Sequence, residues 1–165
     1  TLFRSLVLKQ NPQVEFVIAG RGSALDEELP ALSTLENVTI HRRYLEQGEV
    51  EKLFQQTHLN IVPYVEASQS GAIAFGFGYG VPALASKVGA LPEVVHHRDN
   101  GLLVEADNPQ ALADAILIAA REEGLLKTLR AGVERWATGP LSWPVIAKQT
   151  KDVYLRCLDG IKPPS

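Results

Sequence analysis

The chain has no methionine and one cysteine, Cys157, among its 165 residues. A single cysteine leaves no disulfide within the chain, which points to a reducing compartment and a cytoplasmic setting. Cys157 lies in an apolar-periodic stretch and reads either as a buried helix residue or as a reactive thiol. No segment approaches the ~20 consecutive apolar residues that cross a bilayer. The opening Thr1-Leu2-Phe3-Arg4 has neither the long apolar region nor the cleavage-type site of a signal peptide. Basic residues are not in excess, and the net charge is −3. A nucleic-acid binder would normally show a basic stripe, so that class is disfavoured. There is no Walker-type lysine-serine loop, and Gly20-Arg21-Gly22 is too short for a dinucleotide fingerprint. His96 and His97 are adjacent, but no third ligand is spaced to complete a metal site.

What is present is the balance of a soluble globular domain, 45% hydrophobic and 21% charged. A chain of this length forms one domain and can bury roughly 70% of its unfolded surface. Its pattern alternates. Residues 2–10 read as a helix ended by Asn11-Pro12. Val14 to Ala19 is an apolar, β-branched strand that runs into Gly20-Arg21-Gly22. Residues 24–34 read as a helix, Val38 to Ile40 as a strand, and Gly48 to Gln56 as a helix with Val50, Leu53 and Phe54 inward. Leu59 to Pro63 is a strand and residues 70–79 a helix despite three glycines. Ala83 to Ala85 and Gly101 to Val104 are further strands. Asn108-Pro109 starts a helix with a capping side chain and a proline at its first position, turning Leu112, Ala115, Ile116 and Ala119 inward. Helices over about 122–136 and 145–158 follow, and Pro163-Pro164 closes the chain. Strands apolar on both faces, alternating with helices, predict a doubly wound parallel sheet covered by helices.

In such sheets ligands bind beyond the carboxyl ends of the strands. The long polar loop there is Glu66-Ala67-Ser68-Gln69-Ser70-Gly71-Ala72. Ser68 or Ser70 can cap the helix that follows. The N–H groups of Ser70, Gly71 and Ala72 would then meet an anion at the positive end of the helix dipole, a diphosphate being the natural guest. The plain alternative is an ordinary capped helix start. Gly76, Gly78 and Gly80 either let helix and sheet pack closely or leave room for a ligand. Glu66 can accept from sugar hydroxyls or stand in solvent, and Arg21 can face an anion or solvent. Glu93 suits the first turn of a short helix, and Arg42-Arg43 a solvated strand end.

Five blocks together resemble the C-terminal domain of group 1 (family four) glycosyltransferases. They are Val17 to Gly22, Ile61 to Gly71, Tyr79-Gly80-Val81-Pro82, Ala85 to Val95, and Gly101 to Val104 with Asn108-Pro109. The resemblance covers almost the whole chain. It implies the Rossmann-like C-terminal half of a GT-B fold, which takes the donor in a retaining transfer from a nucleotide diphosphate sugar. By match, Ser70, Gly71 and Ala72 supply N–H groups to the diphosphate, with Ser68 and Gln69 in the same loop. Glu66 contacts the donor sugar, Tyr44 and Leu45 border the nucleobase, and Gly20, Arg21 and Gly22 line the cleft. No metal or other cofactor is implied. The implied partners are an N-terminal acceptor-binding domain of the same polypeptide, the nucleotide sugar, and a saccharide or lipid-linked acceptor, with peripheral contact at the inner membrane surface through that other domain.

The sequence departs from the family in three ways. Aligned on Gly80-Val81-Pro82, the family's two glutamates fall on Ala67, with Glu66 one residue off, and on Phe75, which cannot accept ribose hydroxyls. This resembles a subgroup with a Ser/Thr-Gln-Ser-Gly loop. The family's basic pair and first strand would lie upstream of Thr1, so the chain is expected to begin inside a larger enzyme. The acceptor domain is also absent. Without a first strand, the segments Val14–Ala19 and Leu59–Pro63 should face a gap or pair with each other, and the chain alone should be inactive and marginally stable. Two rival readings are a GT-B nucleotide-sugar epimerase and a non-catalytic nucleotide-binding module.

Overall fold

A computed structural model of the chain describes residues 2–140 and 142–158, apart from the side chain of Ala24. Pro163-Pro164 lie outside the described residues. The elements follow in the order α1 (Leu2–Gln10), β1 (Phe16–Ala19), α2 (Ser23–Leu32), β2 (Val38–His41), α3 (Gln47–Gln56), β3 (Asn60–Val62) and α4 (Gly71–Gly78). Then come β4 (Ala83–Ser86), α5 (Leu91–Val94), β5 (Gly101–Val104), α6 (Pro109–Arg121), α7 (Leu125–Thr138) and α8 (Trp143–Leu158).

All strand pairings are parallel. β1 pairs with β2, with Phe16 opposite Val38 and Ala19 opposite His41. β4 lies between β3 and β5, with Ala83 opposite both Asn60 and Gly101. Among the described residues β1 and β3 do not pair, so the strands form a pair and a triplet. One core nevertheless joins them. Phe3 and Val7 of α1 and Phe16 of β1 pack in the same cluster as Leu84, Leu102 and the buried face of α6.

The pattern of β4 shows why it is central. Its side chains alternate between faces. Leu84 enters the cluster with α1 and α6, while Ala83 and Ala85 enter a second cluster with Ile73 and Phe77 of α4, Leu91 of α5 and Val133 of α7. Helices therefore cover both faces, as a doubly wound arrangement requires. Helix α6 begins as its sequence predicts: the Asn108 side chain accepts from the Ala111 N–H at 2.9 Å, and Pro109 takes the first position.

Several boundaries differ from expectation. Helix α7 starts at Leu125, because Gly124 takes φ +80 just before it and interrupts the run from Glu122. Helix α8 starts at Trp143, which places Pro144 in the first turn, where its missing N–H costs no helical bond. Val50, Leu53 and Phe54 of α3 are only half-buried. Cys157 is exposed, not buried, because no residue of α8 is buried.

Candidate functional site

The loop between β3 and α4 ends as a capped helix start. Ser70 is the cap, its hydroxyl accepting from the Ile73 N–H at 3.3 Å. That bond occupies Ile73 and leaves the N–H groups of Ser70, Gly71 and Ala72 without a partner among the described residues. Gly71 and Ala72 are exposed, and a Cβ on Gly71 would meet nothing within 4 Å. The donors are therefore open to an anion at the positive end of the helix. Behind them the helix is anchored by the Asn60 amide, which donates to the Ala72 carbonyl at 2.8 Å.

An open crevice of about 590 Å³ lies beside this loop, at the carboxyl ends of β3 and β4. It is lined by Val65, Glu66, Ala67 and Ser68 from one loop and by Val88 and Gly89 from the next. Glu66 and Ser68 are exposed. Two contacts fix the shape. The Ala90 N–H donates to the Ser68 carbonyl at 3.3 Å. Gly89 takes φ +50 and approaches so closely that a Cβ there would stand 1.7 Å from the Ala67 carbonyl oxygen. Val65, Val88 and Gly89 were not among the site residues expected from the sequence. The signal was the glycine after the strand, but its partner, Ala67, is distant in sequence and becomes its neighbour only through β3–β4 pairing.

The remaining candidates gather at the ends of β1 and β2. The Gly20 N–H donates to the His41 carbonyl at 3.1 Å, extending the ladder by one bond. Gly20 and Gly22 have φ +153 and +140, values that favour glycine. The Arg21 guanidinium lies 5.5 Å from the centre of the Tyr44 ring, within cation–π range. Tyr44 is 77% exposed, and Leu45 is half-buried. Arg42 and Arg43 are exposed but paired. Arg42 meets Asp26 at 2.6 Å, and this hydrogen bond holds the Asp26 carboxyl below its usual range. Arg43 grips both oxygens of Glu49 at 2.5 and 2.7 Å. Glu49 also accepts from the Glu46 N–H at 2.9 Å. Together these bonds, that of Arg43 first, lower the Glu49 carboxyl to about 2. No hydrogen bond, ion pair or ring contact among the described residues joins this group to Glu66–Ala72.

Other sequence candidates serve the fold. His96 stacks on Trp136 with ring centres 4.2 Å apart, and His97 Nδ1 accepts from the Leu103 N–H at 3.0 Å. Glu93 occupies the first turn of α5. Of the three α4-region glycines, Gly76 serves close packing, since a Cβ would meet the Asn60 amide at 2.8 Å. Gly78 has open space around it, and Gly80 makes the following turn at φ +71.

A doubly wound α/β domain with open amides and a crevice at the strand ends is a Rossmann-like arrangement, the class in which ligands bind beyond the carboxyl ends of the strands. The chain belongs to the glycosyl transferases group 1 family, whose model matches residues 2–122. It is 32% identical over 144 residues to D-inositol 3-phosphate glycosyltransferase of Jonesia denitrificans, an alignment covering 84% of this chain and 33% of that protein. The chain thus spans about a third of the length of the curated relatives it matches. Sucrose-phosphate synthase from Thermosynechococcus elongatus has the same fold at a TM-score of 0.78, with 21% identity, 96% of this chain and 42% of that chain covered. Anabaena HepE in complex with UDP superposes at 0.77, with 20% identity and 93% and 43% covered. These likenesses fit the C-terminal, Rossmann-like half of a GT-B glycosyltransferase. No described helix is long and apolar enough to cross a membrane.

Proposed function

We propose that this chain is the donor-binding part of a retaining glycosyltransferase that moves a sugar from a nucleotide diphosphate sugar to a saccharide or lipid-linked acceptor. The observation that carries the reading is the set of unpartnered N–H groups at Ser70, Gly71 and Ala72 beside the Glu66 crevice. When the bond to the leaving diphosphate breaks, negative charge grows on its oxygens. Fixed amide donors at a helix start stabilise that charge without reorganising. Glu66 accepts from hydroxyls of the donor sugar, and Ser68 and Gln69 belong to the same loop. Tyr44 and Leu45 border the nucleobase, and Gly20, Arg21 and Gly22 line the cleft. The donor site uses no metal or organic cofactor. The acceptor is held by an N-terminal domain of the same polypeptide, in polysaccharide or glycolipid synthesis at the inner surface of the cytoplasmic membrane, and the present chain alone does not catalyse transfer. The resemblance of the family blocks supports this reading, as do the UDP bound by HepE and the glycosyltransferase names of the relatives.

The test is calorimetric titration of the full polypeptide with UDP-, GDP- and ADP-sugars, repeated on Gly71→Val. Because a Cβ at Gly71 meets nothing within 4 Å, the variant should keep its far-ultraviolet spectrum. The branched side chain would stand between the anion and its donors, so affinity should fall at least about a hundredfold, the equivalent of roughly two charge-assisted hydrogen bonds. Undiminished affinity in Gly71→Val removes this loop from the mechanism. Conversion of a UDP-sugar without any acceptor would mark an epimerase.

A further inference from the structure

Helix α4 carries no polar side chain from Gly71 to Gly78. Five of those residues, Gly71, Ala72, Ala74, Phe75 and Gly78, are exposed. A ligand that runs from the free N–H groups along this helix finds no side chain of α4 to exchange a hydrogen bond with. It finds an aromatic ring instead. Phe75 lies four residues past Gly71, on the same face and about 6 Å along the axis. Helical side chains lean toward the N-terminus, yet nothing stands within 4 Å of where a Cβ on Gly71 would lie, so the space between the ring and the free donors is open. Phe54 and Tyr79 hold the ring, with ring centres 5.5 and 5.2 Å away, and 44% of Phe75 stays exposed.

A diphosphate-linked donor has two different ends, and the two sides of this helix start differ in the same sense. The crevice before the helix holds Glu66 and Ser68, which suit a sugar rich in hydroxyls. Residues 71–78 on the helix flank offer only hydrocarbon, with the Phe75 ring backed by Phe54 and Tyr79, which suits the nucleoside end.

We propose, on the footing of the donor-site reading above, that Phe75 is a specificity-determining residue. It holds the pentose of the nucleoside by apolar contact and leaves the pentose hydroxyls unread. The site then accepts 2′-deoxynucleoside diphosphate sugars alongside ribonucleoside ones.

The test compares UDP with dUDP by calorimetry on the full polypeptide, with Phe75→Ala, Phe75→Gln and Gly71→Val beside the unaltered protein. The expected dissociation constants for the two nucleotides agree within about threefold, whereas loss of one hydrogen bond to a reading side chain usually costs about tenfold. Phe75→Ala should weaken both by a similar factor, about fivefold, through loss of aromatic contact. Phe75→Gln supplies a hydroxyl partner and should create a preference for UDP of about tenfold. A tenfold or larger preference for UDP in the unaltered protein overturns the proposal, and so does unchanged affinity for both nucleotides in Phe75→Ala. If both nucleotides bind and Gly71→Val abolishes that binding, the donor-site reading stands whatever the ratio. If neither UDP nor dUDP binds, the same comparison is made with GDP and dGDP and with ADP and dADP, and if none of these binds, that reading falls and this proposal with it.

Discussion

The two strand groups of this domain are built to different standards. In the triplet, every residue of β4 is buried, because strands flank it on both sides and apolar clusters cover both faces. In the pair, β2 has no fully buried residue, and β1 alternates, with Val17 half exposed. The site loops inherit the difference. The loops after β3 and β4 interlock through Gly89, Ala67, Ala90 and Ser68. The loop after β1 has open space around both of its glycines. Preorganised donors and a fixed crevice therefore belong to the triplet, where a geometry set in advance is of most use to a developing charge. The pair contributes a looser border, with the exposed Tyr44 and Arg21 at its tip.

Alanine at a glycine in each group is the strongest way to break that contrast. Gly89→Ala must move a Cβ away from a backbone oxygen 1.7 Å off while holding φ +50. Backbone strain together with displacement of a packed loop should cost about 3–4 kcal/mol and shift the crevice out of shape. Gly22→Ala meets the same kind of backbone penalty at φ +140 but no steric neighbour. It should cost about 1–2 kcal/mol, the conformational penalty alone. Urea denaturation midpoints of the two variants measure the difference. Equal losses would mean that the interlock does not hold the site loop.

The same contrast explains what the sequence made legible. The alternation of elements was readable because most of the strands are short apolar runs and each long helix carries a 3.6-residue stripe, as in Leu112, Ala115, Ile116 and Ala119. The Ser70 and Asn108 caps were readable because capping chemistry is local. Gly89 was not, since its need arises from Ala67 across a strand pair. Nor were the partners of Arg42 and Arg43, which lie on neighbouring helices and are brought near by the β2 crossovers. Of the two readings of Cys157, the buried helix residue does not hold, because an apolar stripe signals burial only where something covers it, and α8 has no buried residue. Of the two arrangements expected for Val14–Ala19 and Leu59–Pro63, a gap or direct pairing, direct pairing does not occur among the described residues.

A smaller effect is expected at the helix start itself. Ser70→Ala removes the one side-chain acceptor at the N-terminus of α4 and frees the Ile73 N–H. Loss of an N-cap of this kind should lower stability by about 1 kcal/mol. Nucleotide should restore part of it, because an anion bound at the N–H groups takes over the satisfaction of those donors. Thermal midpoints with and without UDP, compared with those of Asn108→Ala at the distant start of α6, separate this local rescue from general stabilisation. A ligand-induced shift no larger in Ser70→Ala than in Asn108→Ala would sever the cap from the binding site.

The smallest effect distinguishes the groups by pH. Helix α4 starts on the Ser70 hydroxyl, which does not titrate in acid, whereas α3 is capped at Glu46 and carries in its first turn Glu49, which accepts from Arg43 and from the Glu46 N–H. The folded Glu49 carboxyl lies near 2, against 4.5 for an unperturbed one. The folded state therefore binds its proton less readily than the unfolded state does. Its stabilising contribution is complete above about pH 4.5 and is lost as pH falls toward 2. Because 40% of the Glu49 side chain is exposed, solvent screening keeps the contribution small. Amide hydrogen exchange, corrected for intrinsic rates, should then show the first turn of α3, read at the Glu49 and Val50 N–H groups that donate to Glu46, opening between pH 4.5 and 2 ahead of the first turn of α4, read at the Ile73 and Ala74 N–H groups that donate to Ser70. Glu49→Gln should open that turn already at neutral pH and flatten its pH dependence. Parallel loss of protection in both helices would place the acid sensitivity in the shared core rather than in the β1–β2 side of the domain.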